Sequence, residues 1–194
     1  MLMDPINIFV GINIIAIFGA SFGAAKKGLK SSVSAVKEKP KGFLQAYPPL
    51  IATVLLIAGI ISIFQVGVFE YSDKYRLLRL IGLCVYIISS WMQIKLYNTL
   101  GDNYSQEVVI FKHHQLVQKG LYRYIRHPYY LFQILSDLGF AAALLSYIVL
   151  PITVIEIPIL IMRASLEDNL LNKHFPAQFS EYKRKSGFML PFIG

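Results

Sequence analysis

Cysteine and charged residues are both scarce in this chain of 194 residues, and each scarcity excludes a class of protein. The single cysteine, Cys84, excludes a disulfide framework and a cysteine-based metal site. The four histidines lack metal-ligand spacing, so we expect no metal. Charged residues make up 15% of the chain, against about a quarter in soluble domains. No Gly-x-Gly-x-x-Gly stretch is present, so nothing in the sequence indicates a soluble dinucleotide-binding domain.

Acidic residues are also few: 11 Asp and Glu stand against 19 Lys and Arg, a net charge of +8. A basic surplus of this size is typical of nucleic-acid binding. Here, however, the basic residues cluster at the ends of apolar blocks, where membrane topology accounts for them. We therefore expect no nucleic-acid partner, and we assign the basic clusters to the cytoplasmic side of a membrane.

What the sequence does contain is long apolar runs, with 55% apolar residues overall. Runs of about 20 apolar residues predict transmembrane helices. Three of them precede residue 100: Asp4 to Ala25, Tyr47 to Phe69 and Arg76 to Leu96. Six lysines lie in the loop from Lys26 to Lys41, which predicts a cytoplasmic loop and an N-terminus outside.

A fourth apolar region lies between Pro128 and Arg163 and is interrupted by Pro151 and Pro158. As one continuous helix it would measure about 51 Å, too long for a single crossing of a ~30 Å hydrocarbon core. Its two flanks are both basic, which requires an even number of crossings. The sequence therefore predicts a tight helical hairpin that turns near Ser146 to Pro151, and an all-α integral membrane protein with about five transmembrane helices.

The hairpin divides the chain into two parts. Residues 1–100 hold three spans and the basic loop, and residues 101–194 form the predicted catalytic region. The hairpin returns the C-terminal tail to the face on which the polar stretch Asn98 to His127 lies. We therefore expect a site on the cytoplasmic side, built from the segment before the hairpin and from the tail.

The residues that open the hairpin predict an anion site. Pro128 suits the first position of a helix, and the N–H groups of Tyr129, Tyr130 and Leu131 would then lack partners within the helix. The helix dipole and the preceding His127 add donors and positive character. The alternative is an ordinary helix start at the membrane surface, with tyrosines in the interfacial aromatic belt.

Arg163 and Glu167 stand four residues apart, so on a helix they share one face. An exposed ion pair is one interpretation of this spacing, and it would contribute little. At the inner end of a membrane hairpin a functional carboxylate is the other, because a partly desolvated charge is costly there.

From Lys112 to the C-terminus the chain resembles the isoprenylcysteine carboxyl methyltransferases and their relatives, the phospholipid N-methyltransferases. The resemblance begins with His114-Gln115-Leu116-Val117, Gly120 to Tyr122, and Arg126-His127-Pro128 followed by Tyr130. It continues with Arg163, Glu167, Phe175, Phe179, Glu181-Tyr182-Lys183 and Leu190-Pro191-Phe192. The acid after Glu167 is usually glutamate in that family, and here it is Asp168.

This resemblance implies methyl transfer from S-adenosylmethionine, with S-adenosylhomocysteine as the product. The acceptor would be a lipid-borne group that enters from the bilayer, foremost the α-carboxylate of a C-terminal isoprenylated cysteine. Arg163 would face the acceptor, and Arg163 and Glu167 would form the catalytic pair. Contacts to the cofactor would come from His114, Gln115, Leu116, Val117, Tyr122, His127, Pro128, Tyr129, Tyr130 and Glu167.

Three other functions stay open at this stage. A phospholipid or small-amine N-methyltransferase would share the cofactor, and an NADPH-dependent sterol-type reductase would share a related C-terminal pattern. A membrane scaffold or channel subunit would leave the Arg163 and His127 clusters without a use. Asp137 and Glu156 lie inside the hairpin helices, where each is expected to face protein or a cavity, either in a structural hydrogen bond or along a substrate tunnel.

Overall fold

The computed structural model describes residues 4–32 and 36–194, with side chains described for 4–21 and 36–194. Helices dominate this part of the chain, as the apolar runs predict. They are α1 (Pro5–Ser32), α2 (Phe43–Ile63), α3 (Asp73–Leu100), α4 (Pro128–Leu144), α5 (Val149–His174) and α6 (Pro176–Lys185). Short 3-10 turns occupy Gly101–Asn103 and Gly120–Arg123.

The first helices extend beyond the apolar runs that predict them. α1 continues to Ser32, into the predicted loop Lys26 to Lys41, of which residues 33–35 lie outside the described residues. α2 begins at Phe43 rather than Tyr47, so Pro48 and Pro49 lie inside the helix instead of opening it. A proline in a helix interior removes one hydrogen bond to the carbonyl four residues earlier. The carbonyls of Leu44 and Gln45 therefore lack their usual donors within α2.

A short two-stranded sheet accompanies the helices of the predicted all-α architecture. Strands β1 (Val36–Glu38) and β2 (Ile110–Phe111) pair in antiparallel fashion, with Val36 opposite Phe111. Glu38 also accepts hydrogen bonds from Lys173 and His174 at the end of α5. These contacts hold the segment after α1 against the polar segment before α4.

α4 packs against α3 through glycine. A Cβ atom on Gly82 would lie 2.6 Å from the backbone N of Ala143, and one on Gly139 would lie 2.6 Å from the backbone N of Tyr86. Small residues allow two membrane helices to approach this closely. The Tyr86 and Phe140 rings stack beside this crossing with their centroids 5.0 Å apart. This contact fixes the hairpin against the N-terminal helices.

α4 and α5 form the predicted hairpin, and the four connecting residues 145–148 overlap the predicted turn. Leu145 ends α4 in the left-handed region, with φ of 49°. Ser146 then pairs its hydroxyl with that of Ser62 on α2 at 2.8 Å. The turn is therefore anchored to the neighbouring helix at the end of the bundle that lies away from the polar segments.

Among the residues that the structure describes, three helices are long and apolar enough to cross a membrane: α2, α5 and the stretch Asp73–Asn103 that contains α3. The chain is therefore an integral membrane protein. α1 is apolar over Pro5–Ser21, and α4 spans 17 residues, or about 25 Å.

At the end opposite the polar segments, the buried Arg79 binds Asp4 at 2.7 Å and the Ala143 carbonyl at 2.9 Å. This buried ion pair joins the start of α1 to α3 and α4.

Candidate active site

A cavity of about 600 Å³ lies between α2, α4, α5 and the segment that precedes α4. Its α2 wall is mostly apolar, with Ala52, Leu55 and Leu56, and Leu160 on α5 continues that surface. Its other wall is polar and includes the strap, our name for residues 103–110. The cavity therefore joins an apolar compartment to a polar one, which suits a ligand with both characters.

Nearly all of the residues predicted for the site line this one cavity. They are His114, Gln115, Leu116, Val117, Tyr122, His127, Tyr129, Tyr130, Arg163 and Glu167. Pro128 is buried behind the wall and is not among the lining residues. Residues of α2 and α3 also contribute to the lining, beside those of the predicted catalytic region 101–194.

His127 lies between two carboxylates at the start of α4. Its Nε2 is 2.7 Å from Asp168 Oδ1, and its Nδ1 is 3.5 Å from Glu167 Oε2. Asp168 also accepts a hydrogen bond from Arg126 Nε at 3.1 Å. Arg126 and His127 expose only 2% and 4% of their side chains, so this is a largely buried network.

Burial by itself lowers the pKa of His127, but its contacts with Asp168 and Glu167 outweigh burial and raise the pKa above the usual range. The raised pKa favours the protonated ring, whose Nε2 pairs with Asp168 and whose Nδ1 faces Glu167. In addition, the Leu131 N–H donates to the His127 carbonyl at 3.3 Å. This N–H group therefore has a partner, although the sequence predicts that it lacks one. The expected anion site is thus taken up, in part, by acidic residues of the protein itself.

Glu167 connects to Arg163 through a tyrosine. The Tyr130 hydroxyl donates to Glu167 Oε1 and accepts a hydrogen bond from Arg163 Nε at 2.9 Å. The direct distance from Arg163 Nε to Glu167 Oε1 is 3.9 Å, at the limit of an ion pair. The predicted pair on one helix face is therefore present, with Tyr130 from α4 placed between its members.

Arg163 also reaches two backbone carbonyls on other elements. Nη1 donates to the Leu44 carbonyl at 3.3 Å, and Nη2 donates to the Gln106 carbonyl in the strap. The Arg163 side chain is only 5% exposed. Three of its five N–H groups are thus directed at described residues, which leaves one on each terminal nitrogen for a ligand.

Two polar atoms of the cavity wall are buried without a hydrogen-bond partner among the described residues. They are His114 Nδ1 and the Tyr122 hydroxyl oxygen. Burial lowers the pKa of His114 and raises the pKa of Tyr122, so both groups are neutral near pH 7. Buried polar atoms are costly unless they are paired. These two therefore mark a place where a ligand would supply hydrogen bonds.

Asp137 and Glu156 lie side by side between α4 and α5. Glu156 Oε1 accepts a hydrogen bond from Gln133 Nε2 at 2.7 Å, and Glu156 is only 1% exposed. Asp137 and Gln133 line the cavity. Both acids therefore face protein rather than lipid, as expected, and the hydrogen bond from Gln133 favours a structural role for Glu156.

The sequence did not identify Asp168, Gln106 or Leu44 as parts of this arrangement. Asp168 follows Glu167 directly, and its only signal is that an acid recurs there in the family that the chain resembles. Gln106 and Leu44 contribute backbone carbonyls, which every residue type carries. No pattern of side chains could have indicated them.

Comparison with known proteins places residues 80–173 in the isoprenylcysteine carboxyl methyltransferase family model. The chain is 30% identical over 129 residues to the protein-S-isoprenylcysteine O-methyltransferase of Saccharomyces cerevisiae, covering 65% of this chain and 54% of the yeast protein. The Tribolium castaneum enzyme of the same name is 29% identical over 116 residues, covering 58% and 41%. The chain thus spans about half the length of these curated relatives.

A relative closer to this chain in length is protein-S-isoprenylcysteine O-methyltransferase B of Arabidopsis thaliana. It is 24% identical over 149 residues, which cover 73% of this chain and 74% of the plant protein. Among solved structures, the eukaryotic intramembrane Ras methyltransferase ICMT superposes with a TM-score of 0.58. That match is 24% identical and covers 75% of this chain and 52% of the other, so it shows a shared fold.

Proposed function

We propose that the chain belongs to the isoprenylcysteine carboxyl methyltransferase family and that it transfers a methyl group from S-adenosylmethionine to a lipid-borne carboxylate. The foremost acceptor is the α-carboxylate of a C-terminal isoprenylated cysteine. One observation carries this proposal: a single cavity combines an apolar wall, an arginine with unused donors and a carboxylate. The names of the relatives and the chemistry of this cavity favour methyl transfer over reduction with NADPH.

The polar wall of the cavity fits the cofactor. His114 Nδ1 and the Tyr122 hydroxyl are buried and unpaired, so they can hydrogen-bond its ribose or adenine. Glu167, with 30% of its side chain exposed, can accept hydrogen bonds from the ammonium or hydroxyl groups of the cofactor. Gln115, Leu116, Val117, Tyr129 and Tyr130 complete the wall. When bound, S-adenosylmethionine supplies an electrophilic methyl group on its sulfonium.

His127 plays a supporting part in this assignment. Its ring holds Glu167 and Asp168 at fixed positions, and it does not offer a free donor to the carboxylate of the cofactor. We therefore revise the expected role of His127 from direct anion binding to orientation of Glu167. A ligand-binding carboxylate that is held in one position loses less entropy on binding.

The acceptor compartment favours an anion with an apolar tail. A carboxylate is ionised at neutral pH, so its methylation requires no general base. The remaining N–H groups on Nη1 and Nη2 of Arg163 can hold it, and the fixed guanidinium positions it for in-line displacement. The apolar wall formed by α2 and α5 suits the lipid part. An amine acceptor, which is protonated at neutral pH, would be repelled in that form by the same guanidinium.

We propose five membrane crossings, by α1 to α5, with the N-terminus outside and the site on the cytoplasmic side. The α4–α5 hairpin returns α6, which carries Lys183, Arg184 and Lys185, to the side of the cavity's polar wall. Basic residues favour the cytoplasmic side. That side also holds the cellular supply of S-adenosylmethionine.

Cysteine labelling tests this topology. In a Cys84→Ala background, cysteines introduced at the exposed positions Lys119 and Lys185 are expected to react with an impermeant maleimide only after cells are permeabilised. A cysteine at Glu70, in the connection between α2 and α3, is the control and should react in intact cells. Labelling of position 119 or 185 from outside would contradict the topology.

The proposed activity is tested directly with purified protein in detergent. We expect S-adenosylmethionine, but not NADPH, to raise the Tm, and to do so by mass action as its concentration exceeds the Kd. Methyl transfer should be observed with N-acetyl-S-farnesylcysteine and be absent with phosphatidylethanolamine. Transfer to the phospholipid alone would move the assignment to an amine methyltransferase, and stabilisation by NADPH alone would refute methyl transfer.

A further inference from the structure

The first turns of α2 contain a contact that the proposed chemistry does not by itself require. Pro48 has no N–H, so it cannot donate to the Leu44 carbonyl as a helical residue normally would. Arg163 Nη1 donates to that same carbonyl at 3.3 Å, from a residue 119 positions away. The proline thus leaves open an acceptor that the buried guanidinium uses.

The residue after Leu44 makes a second contact of the same kind. Gln45 Nε2 donates to the Val108 carbonyl at 2.9 Å, and Gln45 Oε1 accepts from the Val108 N–H at 2.9 Å. The side-chain amide therefore pairs with both backbone groups of one strap residue. Gln106, two residues earlier in the strap, supplies the carbonyl that Arg163 Nη2 binds. Gln45 thus fixes the piece of chain on which the other acceptor of Arg163 lies.

We propose that Pro48 and Gln45 are positioning residues for Arg163. Pro48 frees the Leu44 carbonyl for Nη1, and Gln45 holds the strap so that the Gln106 carbonyl meets Nη2. Together they fix the plane of the guanidinium, and with it the direction of the two N–H groups left for the acceptor. This inference rests on the proposed function, because it assigns the acceptor to Arg163.

The plane of the guanidinium matters because its donors are rigidly coplanar. A rotation about the bonds of the arginine side chain would swing both free N–H groups away from a carboxylate at once. Tyr130 fixes only Nε, through one hydrogen bond at 2.9 Å. The two carbonyls are therefore the contacts that distinguish one rotational position of the guanidinium from another.

Pro48→Ala gives the sharpest test, and Pro49→Ala is its matched control. Both variants restore a backbone N–H to the interior of α2, so both are expected to keep or raise the Tm. Only Pro48→Ala supplies a competing donor for the Leu44 carbonyl. We expect kcat/KM for the farnesylcysteine acceptor to fall about tenfold in Pro48→Ala and to stay within about twofold in Pro49→Ala. The Kd of S-adenosylhomocysteine should be unchanged in both.

Gln45→Ala is compared with Lys39→Ala in the same way. Lys39 forms an exposed ion pair with Glu107 of the strap at 2.7 Å, and such a pair contributes little. We expect Gln45→Ala to reduce kcat/KM for the acceptor by about tenfold, while Lys39→Ala leaves it within about twofold. In an Arg163→Lys background, neither Pro48→Ala nor Gln45→Ala should cause a further loss, because the group that they position is gone. Full additivity with Arg163→Lys would overturn the proposal.

Hydrogen exchange separates this proposal from the proposed function. Pro48→Ala and Gln45→Ala should each speed amide exchange in residues 104–110 at least about threefold, compared with the Pro49→Ala and Lys39→Ala controls. If no acceptor is methylated by the parent protein, the proposed function fails, and the exchange result still decides whether the two residues hold the strap and Arg163. Equal exchange in all four variants would refute the positioning role, whatever the activity.

Discussion

Replacing Arg163 with lysine is expected to lower turnover about 100-fold, while the affinity for S-adenosylhomocysteine stays within about threefold. Lysine keeps the positive charge but offers no planar pair of donors, so an acceptor carboxylate would be held poorly. It also cannot bind Tyr130, Leu44 and Gln106 simultaneously, as Arg163 does. Steady-state kinetics and calorimetric affinity on the same preparation measure the two effects.

Glu167→Ala is expected to behave differently. Loss of this carboxylate should weaken binding of the cofactor at least tenfold, because its charged groups lose a hydrogen-bond acceptor. Ser165→Ala, on an exposed position of the same helix, serves as the control for both variants. If Arg163→Lys and Glu167→Ala weaken cofactor binding equally, the division of labour is wrong. A mild turnover effect of Arg163→Lys would instead favour a neutral amine as the acceptor.

Asp168→Ala is expected to produce the largest loss of stability. It removes the partner of two buried cations, Arg126 Nε at 3.1 Å and His127 Nε2 at 2.7 Å. Breaking a buried ion pair from one side typically costs about 3–5 kcal/mol, which corresponds to a fall in Tm of about 10 °C. Glu181→Ala removes a carboxylate whose exposed pair with Lys185 contributes little, so its Tm should change by about 1 °C or less. Similar Tm values for the two variants would contradict the assignment.

The same network predicts a pH dependence with a definite sign. The pKa of His127 is raised in the folded protein, because its contacts with Asp168 and Glu167 exceed the effect of burial. Its contribution to stability is therefore complete below the ordinary histidine pKa of about 6.5 and is lost as pH rises through the raised value. Thermal melts above pH 6.5 should show a declining Tm for the parent protein, and the decline should be smaller in His127→Gln. A substitution of the exposed His113 by glutamine should leave the decline unchanged.

The membrane character and the hairpin could be predicted from the sequence because both follow from length and polarity. An apolar stretch of 34 residues with basic flanks predicts two crossings, and the structure has α4 and α5 with a connection at 145–148. The errors of the prediction lay in where the helices begin and end. α2 begins before its prolines, and Arg163 donates to the Leu44 carbonyl that Pro48 leaves without a helical donor.

Part of the cavity lining could also be predicted from the sequence, because four of its polar residues fall in two short runs that the hairpin returns to one side. His127, Tyr130, Arg163 and Glu167 accordingly lie together. The hydrogen-bond partners of these four residues could not be predicted from the sequence. We expected His127 to bind the carboxylate end of the cofactor, and in the structure its ring nitrogens face Asp168 and Glu167. No spacing rule indicates which nitrogen meets which carboxylate.

The sequence alone determined that this protein lies in a membrane, that it contains the hairpin and which residue types occur at the site. Hydropathy, the placement of charges and the family motif can all be read from the order of the side chains. Only the tertiary structure decided how Arg163 is held. Its acceptors are the backbone carbonyls of Leu44 and Gln106, and a carbonyl carries no residue identity. Contacts of that kind depend on the packing of α2, the strap and α5, so they exist only once the chain has folded.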